Sequence, residues 1–138
     1  GLAAYHKKLT DGVLKTGIVE TPSGRQYHWP NAKRFGNGRV SNHTQIVNFP
    51  VQGFGNDLVQ LSCIRAFRRF KETQMKSLII LTVHDSIVVD THPDEVRQVE
   101  EILTWAMRDV LEEASERWNH DFVLPLDIEI EFGTNWLM

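Results

Sequence analysis

Leu78-Ile79-Ile80-Leu81-Thr82-Val83-His84-Asp85-Ser86-Ile87-Val88-Val89-Asp90 is the stretch on which the reading of this fold turns. Two β-branched, apolar runs meet at a His-Asp pair, and apolar runs bounded by a polar break read as two strands of a buried hairpin. A carboxylate at such a tip is held rigidly and stays open to a ligand on one side. That suits a metal-binding aspartate. The plain alternatives are a capping turn residue for Asp85 and a packed core histidine for His84.

Downstream of the hairpin, Pro93-Asp94-Glu95 opens a long helix, with Pro near its first position and acids in its first turn. Its apolar stripe is Val96, Val99, Leu103, Ala106, Val110 and Ala114, and it ends near Trp118. Leu126 to Phe132 alternates apolar and acidic residues, which predicts a last strand with one face buried and one wet. Asp127, Glu129 and Glu131 are then a wet strand face without chemistry. Upstream, Val51, Phe54, Leu58, Leu61, Ile64, Phe67 and Phe70 follow three- and four-residue spacing, the pattern of an amphipathic helix through about Lys71. Arg65, Arg68, Arg69 and Lys71 read as its solvated face, and Cys63 as a buried thiol. Ser41 to Asn48 can be helical, with Pro50 marking a kink or a new helix start.

The first forty residues add a helix over 3–16 stopped by Gly17, and a hairpin of Ile18 to Thr21 and Gln26 to Trp29 around the turn Pro22-Ser23-Gly24-Arg25. A basic loop follows over residues 30–40. The predicted fold is α+β: a small antiparallel sheet, built from the His-Asp hairpin and the C-terminal strand, covered on one side by two long helices, with the N-terminal helix and hairpin beside it.

The 138 residues suffice for one core, and 41% hydrophobic with 24% charged residues is ordinary globular composition. No segment approaches the roughly 18 uninterrupted apolar residues of a membrane span, and no charged-then-apolar leader is present. The single Cys63 excludes an internal disulfide and a cysteine-rich zinc site. These features predict a soluble, intracellular chain, in phage, bacterium or organelle. The net charge of −3 hides a split: residues 1–71 hold eleven Lys or Arg against three acids, +8, and residues 72–138 hold four against fifteen, −11. A basic first half suits a polyanionic partner, although helical faces of different charge would look the same.

Asn48-Phe49-Pro50-Val51-Gln52-Gly53, then a long helix, then Val83-His84-Asp85, resembles family A DNA polymerases of the DNA polymerase I and phage type. Gly17-Ile18-Val19-Glu20-Thr21 with Gly24-Arg25, and Pro125-Leu126 with Gly133-Thr134-Asn135-Trp136, match in the same order. The resemblance covers nearly all of the chain and implies a C-terminal segment of the catalytic domain. Residues 1–50 correspond to fingers-derived structure and 51–138 to the palm, with His84-Asp85 as motif C. It implies template-directed nucleotidyl transfer in DNA replication, with Asp85 as one of two aspartates on a pair of Mg²⁺ ions and His84 against the primer terminus. Asn48 and Gln52, four residues apart on one helical face, would touch the minor-groove edges of the terminal base pair, where every correct pair offers an acceptor. Arg25 and Arg34 join them as DNA contacts. Caps at the break before Pro50 are the plain alternative for Asn48 and Gln52.

Two positions depart from the family pattern: Ser86 follows Asp85 where many members have glutamate, and Thr44 stands where many have a template-contacting arginine. The other metal-binding aspartate (motif A) and the nucleotide-binding Lys, Arg and Tyr of the fingers helix (motif B) have no counterpart in these residues. The expected partners are therefore primer-template DNA, a dNTP and the remaining polymerase segment, with no activity for this chain alone and, where that segment would pack, an exposed apolar patch, self-association or partial disorder in residues 1–50. A non-catalytic DNA-binding or assembly module is the competing reading. An HD-type metal phosphohydrolase is a third, and it requires the His-Asp pair to lie within a helix.

Overall fold

The structure is a computed structural model and describes residues 1–135. It is a mixed α and β chain that divides into two compact units, residues 1–57 and residues 58 onward. In the first unit, α1 (Leu2–Thr16) ends where Gly17 turns left-handed, at φ 73°, and donates its N–H to the Val13 carbonyl at 2.7 Å. Any side chain on Gly17 would also crowd Pro30, whose Cα lies 3.3 Å from where a Cβ would sit. Strands β1 (Ile18–Glu20) and β2 (Gln26–His28) then form the predicted hairpin, antiparallel with Val19 opposite Tyr27. The basic loop folds back on itself through an Arg34–Val40 bridge. Val13, Val19, Val40 and Ile46 make the core of this unit.

Helix α2 (His43–Glu72) contributes residues to both units. It continues through Pro50, where the sequence suggests a kink or a fresh start. Proline removes the hydrogen bond to the Ile46 carbonyl, at a cost of about 3 kcal/mol. Burial of Ile46, Val47 and Pro50 offsets that loss.

In the second unit, β3 (Leu78–Val83) and β4 (Ser86–Asp90) pair antiparallel, Val83 opposite Ser86, so that His84 and Asp85 alone form the turn. Ile79, Ile87 and Val89 pack on a core of Ala66, Phe70, Val99, Ile102, Leu103 and Ala106. The hairpin is not buried on both sides, as its all-apolar sequence suggests. The register shifts between Ile79 and Leu81, leaving Ile80 as an extra residue in β3. This bulge lets Ile80 and Leu81 both face outward across from Val88, and Leu78, Ile80 and Leu81 are 61%, 60% and 49% exposed. Val51, Ile64 and Phe67 of the predicted α2 stripe are exposed as well, while Val59, Leu61, Ala66 and Phe70 are buried.

The long downstream helix is two: a single 3₁₀ turn (Pro93–Glu95) leads into α3 (Val96–Arg108), and α4 (Val110–Trp118) follows a break at Asp109. The buried stripe survives the break through Val99, Ile102, Leu103, Ala106, Val110 and Ala114, with Val96 left exposed. Residues 126–132 do not form the predicted strand. Their alternation is kept, Leu126, Ile128 and Ile130 being half-buried between exposed acids, and Leu126 and Ile130 pack on the cores. Alternation specifies which side chains face inward, whereas a ladder also needs a free strand edge in reach.

The basic face of α2 is not uniformly solvated. Arg65 is only 5% exposed, its guanidinium 4.3 Å from the centre of the Trp105 ring and its Nη1 3.6 Å from Glu113. Arg68 and Arg117 reach the same carboxylate, and Arg69 lies 4.8 Å from the same ring. A guanidinium over an indole face keeps its charge satisfied with little water, which is how an arginine enters this core.

Candidate active site

Local chemistry puts His84 and Asp85 at the tip. A two-residue connection closes the hairpin, and it needs a residue able to turn left-handed, which His84 does at φ 53°. Both residues are exposed. Among the described residues neither side chain has a hydrogen bond or ion pair, so His84 is not a packed core histidine and Asp85 does not cap the turn. The pair lies between strands, which removes the HD-type hydrolase. Asp85 therefore presents two unengaged carboxylate oxygens, the donor type that a hard divalent cation takes. One carboxylate does not by itself make a cation site, and among the described residues no group of three or more His, Cys, Asp or Glu side chains is close enough to hold a metal. Ser86 is exposed beside Asp85.

In the first unit, Asn48 and Gln52 are both exposed, one turn apart on α2. They lie inside the helix and bond to no cap, so both amides are free to act as donor and acceptor. Behind them is a feature that sequence reading missed. Tyr27 and Trp29 stack at 6.1 Å, and Phe49 lies 6.1 and 6.4 Å from their rings. A Cβ on Gly53 would overlap the Tyr27 hydroxyl, so any larger residue here must displace the end of the Tyr27 side chain. The alternation of Tyr27 and Trp29 with His28 was the available signal; their partner on the helix was not visible.

The two arginines are not free charges. Arg25 pairs with Asp57 through both Nε and Nη2, and the Ser23 hydroxyl donates to the same carboxylate at 2.5 Å. Burial pushes the Asp57 carboxyl up, but hydrogen bonds from Arg25 and Ser23 and the Arg25 charge outweigh it and hold the group below the usual carboxylate range. This lock fixes the β1–β2 turn to α2. Arg34 donates to Asp11 at 2.6 Å and to the Gly38 carbonyl at 3.1 Å. Both guanidiniums remain nearly half exposed. Thr44, at the first turn of α2, is exposed too. Trp136 lies outside the described residues.

Glu95 is the other residue whose part the sequence hides. Read as a first-turn acid, it instead accepts hydrogen bonds from the loop before β3: Lys76 N–H at 2.9 Å, Ser77 N–H at 2.8 Å and the Ser77 hydroxyl at 2.6 Å. The Lys76 and Ser77 donors, aided by the charge of His92 and opposed by desolvation, bring its carboxyl down to about 2.

A family model for DNA polymerase family A matches residues 1–138. The chain belongs to this family. Among relatives, the DNA polymerase I of Chloroflexus aurantiacus is 26% identical over 136 residues, which are 99% of this chain and 14% of that protein. The thermostable DNA polymerase I of Thermus aquaticus is 27% identical over 135 residues, 97% of this chain and 15% of that protein. The DNA polymerase of Bacillus phage SP01 is 32% identical over 125 residues, 90% of this chain and 13% of that protein. The chain thus spans about one seventh of the length of these family A relatives. The POL domain of Pol1 from M. smegmatis, solved in complex with DNA primer-template and dNTP, shares the fold with a TM-score of 0.70 and 23% identity. That match covers 78% of this chain and 19% of the other. Among the described residues, no helix of this family member is long and apolar enough to cross a membrane.

Proposed function

We propose that this chain is the part of a DNA-directed DNA polymerase that carries one of the two metal-binding carboxylates, Asp85, on a palm hairpin. The observation that carries the reading is the unengaged Asp85 carboxylate at a two-residue hairpin tip, in a chain matched to family A over its whole length. Mg²⁺ is the cofactor proposed; bound as a pair, it supplies Lewis-acid activation of the primer 3′-hydroxyl and neutralises charge on the departing pyrophosphate. Asp85 supplies oxygen ligands. His84 turns its ring to the primer terminus, where an imidazole N–H donates to a phosphate or sugar oxygen. Asn48 and Gln52 donate to the minor-groove acceptors of the terminal pair, a test of pair geometry that is blind to sequence.

Arg25 and Arg34 approach the DNA backbone with charges already half-neutralised by Asp57 and Asp11, so their contacts are weaker than those of unpaired arginines. Ser86 adds no negative charge at the metals, and Thr44 gives up a template contact. In this reading residues 1–50 belong to the fingers and 51–138 to the palm, and the enzyme works in the cytoplasm of a bacterium or a phage-infected host. The second carboxylate and the triphosphate-binding cations come from a segment outside these 138 residues, so the chain alone does not polymerise.

Primer extension with the isolated chain, with a segment carrying the missing carboxylate, and with the two mixed is the test. Extension confined to the mixture and lost by at least about a hundredfold in Asp85→Ala is expected. A folded complex that binds primer-template yet extends nothing would instead make the chain a non-catalytic DNA-binding or assembly module.

A further inference from the structure

The base of the β3–β4 hairpin closes on a single side chain. Glu95 takes the N–H of Lys76 on both carboxylate oxygens, at 2.9 and 3.1 Å, and the N–H and hydroxyl of Ser77, at 2.8 and 2.6 Å. These two residues lead directly into β3. The Ser77 oxygen in turn accepts the His92 N–H at 3.0 Å, just beyond the end of β4. Both ends of the hairpin are therefore tied, one directly and one through a buried serine, to the residue that enters α3. Resting on the reading of Asp85 as a metal ligand, we propose that Glu95 is a positioning residue, one that holds the base of the hairpin and so places Asp85 at its tip.

The hairpin needs such an anchor. Among the described residues β3 and β4 pair only with each other, so the ribbon depends on what it packs against: Ile79, Ile87 and Val89 rest on the helical core, while Leu78, Ile80 and Leu81 stay exposed. The bulge at Ile80 interrupts the ladder midway. Six residues of β3 make a lever of about 20 Å, so a swing of about 3° at the base moves the tip by about 1 Å. A misplacement of about 1 Å at a reacting centre can cost about a hundredfold in rate. Glutamine at position 95 keeps the size of glutamate, but it offers one neutral acceptor oxygen and turns an NH₂ group toward donors.

The test uses the active mixture of this chain and the segment supplying the second carboxylate. Glu95→Gln is expected to lower kcat by about tenfold to a hundredfold and to raise the Mg²⁺ concentration for half-activity several-fold, with primer-template Kd within about twofold. Without metal, amide hydrogen exchange over residues 78–90 should quicken by at least about tenfold, while Val99, Ile102 and Leu103 in α3 are unchanged. Ser77→Ala, which removes the hydroxyl bond to Glu95 and the link to His92 but leaves the Lys76 and Ser77 N–H bonds to Glu95, should move the same readouts in the same direction by less. Exchange that quickens uniformly across the unit, with kcat and the Mg²⁺ midpoint within about twofold of wild type, would overturn the proposal. If Glu95→Gln does not fold, Ser77→Ala decides: unchanged exchange in the hairpin overturns it. Failure of the underlying assignment shows separately, as an Asp85→Ala mixture that still extends primers.

Discussion

Replacing Glu113 with alanine strips a carboxylate from three arginines at once, and nearly all of the cost should come from one of them. Arg68 and Arg117 are 57% and 48% exposed, and exposed pairs contribute about 0.2–1 kcal/mol each. The Arg65 side chain is 6% exposed, and its Nε already lacks a partner. Breaking a buried pair by removing one member costs about 3–5 kcal/mol, because the other charge stays behind in a poor solvent. The separation here is a long 3.6 Å and the Trp105 ring still covers the guanidinium, which favours the lower end, about 3 kcal/mol. For a chain of this size that is a fall of roughly 10 °C in Tm. Urea unfolding followed by far-UV circular dichroism, on Glu113→Ala with and without Arg65→Met, isolates the term. Once the buried cation is gone, the glutamate should be worth less than about 1 kcal/mol, leaving a coupling of about 2 kcal/mol. An equal cost in both backgrounds would refute the account of Arg65 as a buried charge held by Glu113.

Gly53→Ala should destabilise the first unit by about 1–3 kcal/mol, read by thermal melting, since the new methyl meets a Tyr27 ring already braced by Trp29 and Phe49. The Tyr27→Phe background, which clears the hydroxyl, should recover part of that loss. Acid should loosen the hairpin base: the Glu95 carboxyl is held down to about 2, so its contribution is complete above its ordinary 4.5 and is lost as pH falls from there toward 2. A pH titration of Glu95→Gln should lack that component while keeping the one from Asp57, which titrates in the same direction. Leu81→Lys should reduce self-association of the isolated chain in sedimentation experiments, with folding stability changed by no more than about 0.5 kcal/mol, because the side chain it replaces lies on the open face of β3.

What could be read from the sequence was local. The hairpin, its turn at His84-Asp85, the end of α1 at Gly17 and the β1–β2 turn depend on a few neighbouring residues each, and all are as expected. What could not be read needed a partner far along the chain. Three- and four-residue spacing identifies α2 as a helix, but α2 carries apolar residues on more than one face, so spacing alone cannot tell that Phe70 is buried and Phe67 exposed. Arg65 looks like a solvated charge until Trp105 and Glu113 close over it. Arg25 and Arg34 looked like free DNA contacts because Asp57 and Asp11 are distant in sequence. The alternation of residues 126–132 correctly predicts that Leu126, Ile128 and Ile130 turn inward, but not that Phe132 is exposed or that no described strand pairs with them. At the candidate site, the residue types around Asp85 were legible; a set of metal ligands was not, and among the described residues no group of three or more His, Cys, Asp or Glu could hold a metal.

The extra residue at Ile80 makes one lane of the hairpin longer than the other by a single backbone step, about 3.3 Å. Like a strip bonded from two unequal lengths, the ribbon must bend, with β3 on the outside of the curve. The aim of the His84-Asp85 turn is thereby set by a count of peptide units as well as by the contacts that hold its base. Exchanging Ile80 for another β-branched residue leaves that count intact. Deleting it straightens the ribbon and points the carboxylate elsewhere.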